Sequence, residues 1–210
     1  MQFLSEKIWF PNVNEATDEG LLAYGGDLSI ERLLLAYQTG IFPWFDSEEL
    51  ILWWSPSPRF VLFPDKLKIS KSMQQVLRNK DYVVTFNKDF KGVITECSKI
   101  ERAEQAGTWI TKNMIEAYVK LHELGYAKSI EVWKENRLVG GLYGVDTGNG
   151  VFCGESMFTK ESNASKVGFI TLIQNSNYKL IDCQVYTSHL NSLGAEEISR
   201  ELFMKFLKVN

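Results

Sequence analysis

Gly-Val-Phe-Cys-Gly-Glu-Ser-Met-Phe (150–158), Thr-Lys-Glu-Ser-Asn-Ala-Ser-Lys (159–166), an apolar run and then Leu-Ile-Asp-Cys-Gln-Val (180–185) read as strand, helix and strand. Val151 to Phe158 has strand formers on both sides of Gly154 and one carboxylate, Glu155. Asn163 or Ser165 is placed to cap the helix, because a short polar side chain satisfies free backbone N–H groups. Leu180 to Val185 reads as a buried strand interrupted by Asp182 and Gln184. Residues two apart in a strand share a face, so Asp182 and Gln184 point one way and Cys183 the other. An acid and an amide on a core strand are costly unless something polar meets them. They either satisfy nearby backbone groups or line a cleft. Parallel pairing of the two strands would bring Glu155 to that cleft.

Upstream, Tyr82–Phe86 is predicted as a strand. Asn87 caps a helix with Phe90, Val93, Ile94 and Cys97 on one stripe. Thr111 caps a second helix with Met114, Ile115, Tyr118 and Leu121 inward and Gly125 as its stop. Ser129–Trp133 and Arg137–Val145 are strands joined by a Lys-Glu-Asn turn, and Asp146 to Gly150 turns into the strand at Val151. Three strands linked by tight turns run antiparallel. A last helix from Ser199 carries Leu202, Phe203, Phe206 and Leu207. Arg59 to Phe63 is predicted as a strand and Ser70 to Arg78 as a helix. Residues 1–58 differ from the rest. They hold a helix capped by Asp27 or Ser29, running to about Gln38 and stopped by Gly40. The aromatic turn Gly-Ile-Phe-Pro-Trp-Phe (40–45) and the stretch Trp-Trp-Ser-Pro-Ser-Pro (53–58) follow. Pro56 and Pro58 break any continuing element, which places a domain boundary near residue 58.

The 210 residues allow one large domain, or a small one attached to a medium one. The apolar fraction of 45% and charged fraction of 23% are ordinary for a globular protein, and no apolar run is long enough to span a bilayer. The first residues lack the basic-then-apolar pattern of a signal peptide. The three cysteines, Cys97, Cys153 and Cys183, form no C-x-x-C pair. A reducing cytoplasm is therefore expected. The net charge of −3 argues against a wholesale nucleic-acid coat but leaves room for a local basic patch, such as Lys68, Lys71, Arg78 and Lys80. Phosphate-binding glycine loops and a hydrolase elbow are absent from the sequence. His122 and His189 lack metal spacing; the first reads as solvated, the second as hydrogen-bonded locally. Cys183 reads as a buried structural thiol.

The order strand, helix, helix, three strands, helix, strand, helix resembles the acetyltransferase fold known as GNAT. Typical members hold acetyl-coenzyme A in a Q/R-x-x-G-x-G/A loop. Residues 159–166 fill that position without such a loop, so the resemblance implies a coenzyme lost or replaced. The long motifs then agree in one order. Gly40-Ile-Phe-Pro-Trp-Phe45, Trp53-Trp-Ser-Pro56, Gly107-Thr-Trp-Ile-Thr111, Leu138-Val-Gly-Gly-Leu-Tyr-Gly-Val145, Phe152-Cys-Gly-Glu-Ser-Met-Phe158, Asn163-Ala-Ser-Lys166, Ile181-Asp-Cys-Gln184 and Ser192-Leu-Gly-Ala-Glu-Glu-Ile198 resemble leucyl/phenylalanyl-tRNA–protein transferases.

The resemblance implies an α/β, GNAT-like mixed-sheet catalytic domain (59–210) behind a small N-terminal α/β domain (1–58). It implies a cytoplasmic aminoacyltransferase moving leucine or phenylalanine, with methionine as an alternative, from aminoacyl-tRNA to the N-terminal Arg or Lys of a protein, which marks that protein for degradation. ATP, metal, cofactor and membrane are not needed, and a monomer is expected. Asp182 and Gln184 are implied at the reaction centre, Gln184 accepting a hydrogen bond from the attacking amine and Asp182 holding Gln184 or binding the ammonium. Glu155 is implied to meet the cationic acceptor side chain. Phe152, Met157, Phe169 and Ile181 are candidates for the aminoacyl pocket. Trp44 and Trp109 resemble aromatic residues around the terminal adenosine, with Tyr37 and Tyr118 lining the same cleft. Lys68, Lys71, Arg78 and Lys80 match an acceptor-stem patch, although Gln74 and Gln75 stand where more positive charge is expected. The rival functions are a coenzyme-dependent acetyltransferase and a non-catalytic tRNA-binding module.

Overall fold

A computed structural model describes residues 2–45, 50–79, 81–100 and 110–208. Short strands β1 (Gln2–Leu4), β2 (Leu21–Gly25), β3 (Phe42–Pro43) and β4 (Leu52–Trp54) form a sheet in the order β1-β2-β4-β3. Beside it lies α1 (Ile30–Gln38), with Leu33 and Tyr37 buried. Neither expected side chain caps this helix. Asp27 accepts the Ser29 N–H at 2.8 Å, and Ser29 makes no side-chain cap bond. Gly40, after the helix, adopts φ +75°, which a side chain rarely tolerates. A Cβ there would also lie 2.7 Å from the Met204 sulfur.

The second sheet comes from β5 (Arg59–Leu62), β6 (Val83–Phe86), β7 (Ala127–Lys134), β8 (Arg137–Asp146), β9 (Val151–Thr159), β10 (Leu180–Gln184) and β11 (Glu196–Ile198), in the order β11-β5-β10-β9-β8-β7-β6. Its helices are α2 (Lys71–Asn79), α3 (Phe90–Ser98), α4 (Lys112–Glu123), α5 (Ala164–Gln174), the short α6 (Ser188–Ser192) and α7 (Arg200–Leu207). β6 through β9 run antiparallel, and β10 returns parallel to β9 after α5. This is the mixed-sheet α/β arrangement expected of the acetyltransferase type. The β7–β8 turn is tight because Glu135 and Asn136 both take positive φ, 51° and 61°, matching the twist of a two-residue hairpin.

Several local expectations need correction. Asp89 caps α3, accepting the Gly92 N–H at 2.9 Å, while Asn87 sits at φ 57° and accepts the Ser129 N–H at 3.0 Å. Asn163 precedes α5 in a left-handed conformation without a side-chain cap bond, and Ser165 lies inside the helix. Thr111 and Ser199 do cap α4 and α7. On α7, Phe203 and Leu207 are buried and Leu202 is 40% exposed. His122 is not solvated: its Nδ1 lies 2.9 Å from the Ala127 carbonyl, and its ring stacks on Phe90.

Two apolar clusters flank the large sheet. One joins Leu33, Tyr37 and Trp53 from the small sheet's side to Phe90, Met114, Tyr118, Tyr143 and Phe203. The other gathers Met73, Leu142, Phe152, Phe169 and Ile181 around α5. Residues 2–54 supply the first sheet and residues 59–198 the second, yet the first cluster belongs to both. Among the described residues, no helix is long and apolar enough to cross a membrane.

Candidate active site

The site lies where two neighbouring strands part. β9 and β10 pair only at Leu180↔Val151, Ile181↔Phe152 and Asp182↔Cys153. Just beyond, each strand carries an extra residue. β8 pairs Gly144 with Gly154 and Tyr143 with Ser156, so Glu155 is the unpaired residue of β9. β5 pairs Val61 with Asp182 and Phe60 with Gln184, which makes Cys183 the unpaired residue of β10. Such bulges bend a strand and redirect its side chains. Across the resulting gap, Gln184 Nε2 donates to Glu155 Oε1 at 2.9 Å. A cavity of about 530 Å³ opens beside this bond, with Glu155, Gln184, Trp44 and Met157 in its wall.

Asp182 is fully buried and faces a cation from the neighbouring strand β5. Arg59 grips it with two bonds, Nε to Oδ1 at 2.8 Å and Nη2 to Oδ2 at 2.7 Å. Fork-to-fork pairing of this kind is strong and directional. The guanidinium lies between the rings of Phe42 and Phe203, 4.7 and 4.6 Å from their centroids, and reaches the Gly40 carbonyl at 3.3 Å. Asp182 Oδ1 also accepts the Gln184 backbone N–H at 2.9 Å. That bond holds Gln184 at φ 64°, a conformation unusual for a residue with a side chain. Asp182 thus holds Gln184 through the backbone, and its carboxylate is engaged by Arg59 rather than turned to an incoming ammonium. Cys153, next to Asp182, has a thiol pushed well above its ordinary range, first by burial and then by the Asp182 charge. Cys183 packs with the opposite apolar cluster, and burial raises its thiol pKa as well.

Glu155 collects donors. Besides Gln184, it accepts from the Tyr118 hydroxyl at 3.2 Å, and Tyr37 and Tyr118 hydrogen-bond each other through their hydroxyls. Burial pushes the carboxyl up to about 7, against the pull of the two tyrosines; the Asp182 charge adds to the rise and the Gln184 bond opposes it. Both tyrosine hydroxyls are held well above their usual values, chiefly by burial and next by Glu155.

The structure sorts the remaining candidates. Met157, Phe169, Ile181 and Trp44 line the cavity. Phe152 does not: it is fully buried, 5.3 Å from the Tyr178 ring, on the α5 side of β9. Tyr37 and Tyr118 are also buried behind the wall rather than lining it, and reach the site through Glu155. Trp54 donates to the Trp44 carbonyl at 2.7 Å and steadies that residue. Lys68, Lys71 and Arg78 are exposed around α2. Trp109 and Lys80 lie outside the described residues. His189, read as locally bonded, lines the cavity with a buried Nε2 that has no partner among the described residues, and burial lowers its pKa. Among the described residues, no group of three or more His, Cys, Asp or Glu is placed to hold a metal ion.

Comparison with known proteins gives one consistent result. A family model described as leucyl/phenylalanyl-tRNA protein transferase matches residues 61–208, and one for the N-terminal domain of the same transferase matches residues 26–57. A leucyl/phenylalanyl-tRNA–protein transferase of Flavobacterium johnsoniae is 60% identical over 211 aligned residues, covering 99% of each chain. One from Flavobacterium psychrophilum is 58% identical, covering 99% of this chain and 100% of the relative. Among solved structures, a GCN5-related N-acetyltransferase from Kribbella flavida is 7% identical with a TM-score of 0.38, covering 84% of this chain and 64% of that one.

Proposed function

Because the chain belongs to the leucyl/phenylalanyl-tRNA–protein transferase family, we propose that it moves leucine or phenylalanine from aminoacyl-tRNA onto the N-terminal Arg or Lys of acceptor proteins. The observation that carries this reading is the cavity itself. Apolar Met157, Phe169 and Ile181 stand in one wall with the polar pair Glu155 and Gln184, and Trp44 stands beside them. An apolar slot next to a hydrogen-bonding pair suits a hydrophobic acyl group whose ester is met by an amine.

Residues 59–210 act as the catalytic domain and residues 1–58 as a small domain that brings Trp44 to the opening. The aminoacyl side chain enters the apolar part of the cavity. The terminal adenosine stacks on Trp44 and on Trp109, a sequence-tolerant contact of about 1–3 kcal/mol per base. Gln184 gives Nε2 to Glu155, so its Oε1 is left to accept an N–H from the attacking amine and aim it. Glu155, bonded to Gln184, meets the acceptor's N-terminal residue. Asp182 acts at one remove, by fixing the Gln184 backbone. Aminolysis of an ester is downhill, so the enzyme's task is to align two large substrates. The protein works in the cytoplasm as a monomer and feeds its products to degradation.

The test is direct. Labelled leucyl-tRNA is incubated with the protein and a peptide beginning with Arg, beside one beginning with Ala. Label enters the first and not the second; equal labelling, or none, refutes the reading. A coenzyme-dependent acetyltransferase would instead label the peptide from acetyl-coenzyme A.

The exposed Lys68, Lys71 and Arg78, with Lys80, contact acceptor-stem phosphates. Each neutralised phosphate releases condensed counterions, so affinity falls with salt. Lys71→Ala is expected to weaken binding of tRNAs of different sequence alike and to lower the log–log salt slope by about 1. Filter binding between 50 and 200 mM salt, on the order used for such slopes, measures it.

A further inference from the structure

Resting on the transfer activity above, we propose that Glu155 is the base that takes a proton from the acceptor's α-ammonium, so that it serves the reacting nitrogen and not the acceptor's cationic side chain. Three observations point there. Asp182, the other carboxylate of the site, is fully buried and neutralised at both oxygens by the Arg59 cation, whereas Glu155 keeps 8% exposure and is held only by neutral donors, Gln184 at Oε1 and Tyr118 at Oε2. Glu155 stands in the cavity wall and is joined to Gln184, the residue that aims the amine, by a bond of 2.9 Å. An N–H aimed at Gln184 Oε1 therefore brings the same ammonium within reach of the neighbouring carboxylate. Behind Glu155 stands a hydroxyl pair, Tyr118 at 3.2 Å and Tyr37 on Tyr118. These donors steady the carboxylate before the proton arrives, and the hydroxyls can turn once it has.

The step balances. The α-ammonium gives one proton to Glu155 and becomes a neutral amine. Its lone pair forms the C–N bond at the ester carbonyl, and the C–O bond to the ribose breaks. The second proton of the nitrogen goes to the departing ribose oxygen. Glu155 then releases its proton to solvent, the one proton set free when an ammonium and an ester become an amide and an alcohol. The free carboxyl, held near 7 by burial, is close to the reference value of about 7.7–8.0 for an α-amine. Proton transfer between such groups is nearly balanced, which is the condition for an efficient base. The groups that face Glu155 are Tyr37 of α1, Tyr118 of α4, and Asp182 and Gln184 of β10. Arg59 of β5 reaches the site through Asp182, and Tyr143 of β8 packs its ring against Tyr118.

The experiment compares Glu155→Gln with the wild type at saturating leucyl-tRNA, with varied Arg-peptide, from pH 6 to 9. A neutral amide fits a site whose burial disfavours charge, so a normal melting curve is expected. At pH 7 kcat should fall about 100-fold, the acceptor KM should change little, and the deficit should shrink toward pH 9, where the free amine supplies itself. Tyr118→Phe removes a bond that favours the ionised carboxyl, so the acidic limb of kcat/KM for the Arg-peptide, which reports the free enzyme, should move to higher pH. A side-chain contact predicts the opposite for Glu155→Gln: kcat nearly intact and a raised KM for the Arg-peptide. A merely structural role predicts an equal loss at every pH. Either result, or an unmoved limb in Tyr118→Phe, overturns the proposal. If the wild type transfers nothing, the proposed function fails instead.

Discussion

Arg59→Met is expected to cost about 3–5 kcal/mol of stability, because it leaves the Asp182 carboxylate buried with no cation. Both partners are nearly inaccessible, at 2% and 0%. The lost charge cannot be replaced by water without opening the aromatic bracket of Phe42 and Phe203. Freed from Arg59, Asp182 no longer fixes the Gln184 backbone, so transfer activity should fall to background. The double variant Arg59→Met with Asp182→Asn removes both charges. It should regain much of the lost stability while remaining inactive, since replacing a buried ion pair as a whole is far cheaper than breaking it. Chemical denaturation of the two variants, with peptide-transfer assays, separates the effects. Full activity in Arg59→Met would remove Asp182 from the positioning scheme.

Gln184→Gly should separate activity from stability in the opposite sense. The residue sits at φ 64°, where a side chain costs on the order of 1–3 kcal/mol and glycine costs little. The bond from the residue's backbone N–H to Asp182 survives the change. The bond from Nε2 to Glu155 and the group that aims the amine do not. The variant is therefore expected to melt at or above the wild-type temperature and to transfer leucine about 1,000-fold more slowly, the scale seen when one aligned polar group is lost from a reaction centre. A parallel loss of stability would mean that the side-chain bond, not the backbone, holds this strand end.

Much of this was legible in the sequence. The antiparallel run β7-β8-β9, the parallel return to β10 and the polar pair on β10 follow from period and turn chemistry, because strands of eight to ten residues such as β7 and β8 leave a clear pattern; β11, of three residues, and the place of β5 between it and β10 do not. The small sheet did not show, since Gln2–Leu4 and Phe42–Pro43 are too short for alternation to register. By its apolar character and the family resemblance, Phe152 reads as a pocket residue. Phe152 and Met157 belong to the same apolar cluster on the α5 side, but Phe152 packs beside the Tyr178 ring while the cavity opens farther along β9, at Met157. Arg59 reads, from the sequence, as no more than the first residue of an apolar strand. The signal was present: a cation opening a run of Phe, Val and Leu and a carboxylate interrupting another apolar run each need a buried partner. The two needs answer each other across β5 and β10. Asn87 reads as the cap of α3, but Asp89, another short polar residue before the same helix, makes the cap bond, and composition alone does not distinguish them.

The bracket around Arg59 draws its two rings from opposite ends of the chain, one near residue 42 and one on the closing helix at residue 203. A chain shortened before α7 would keep Glu155, Asp182 and Gln184 and yet lose the ring that covers one face of the Arg59 cation.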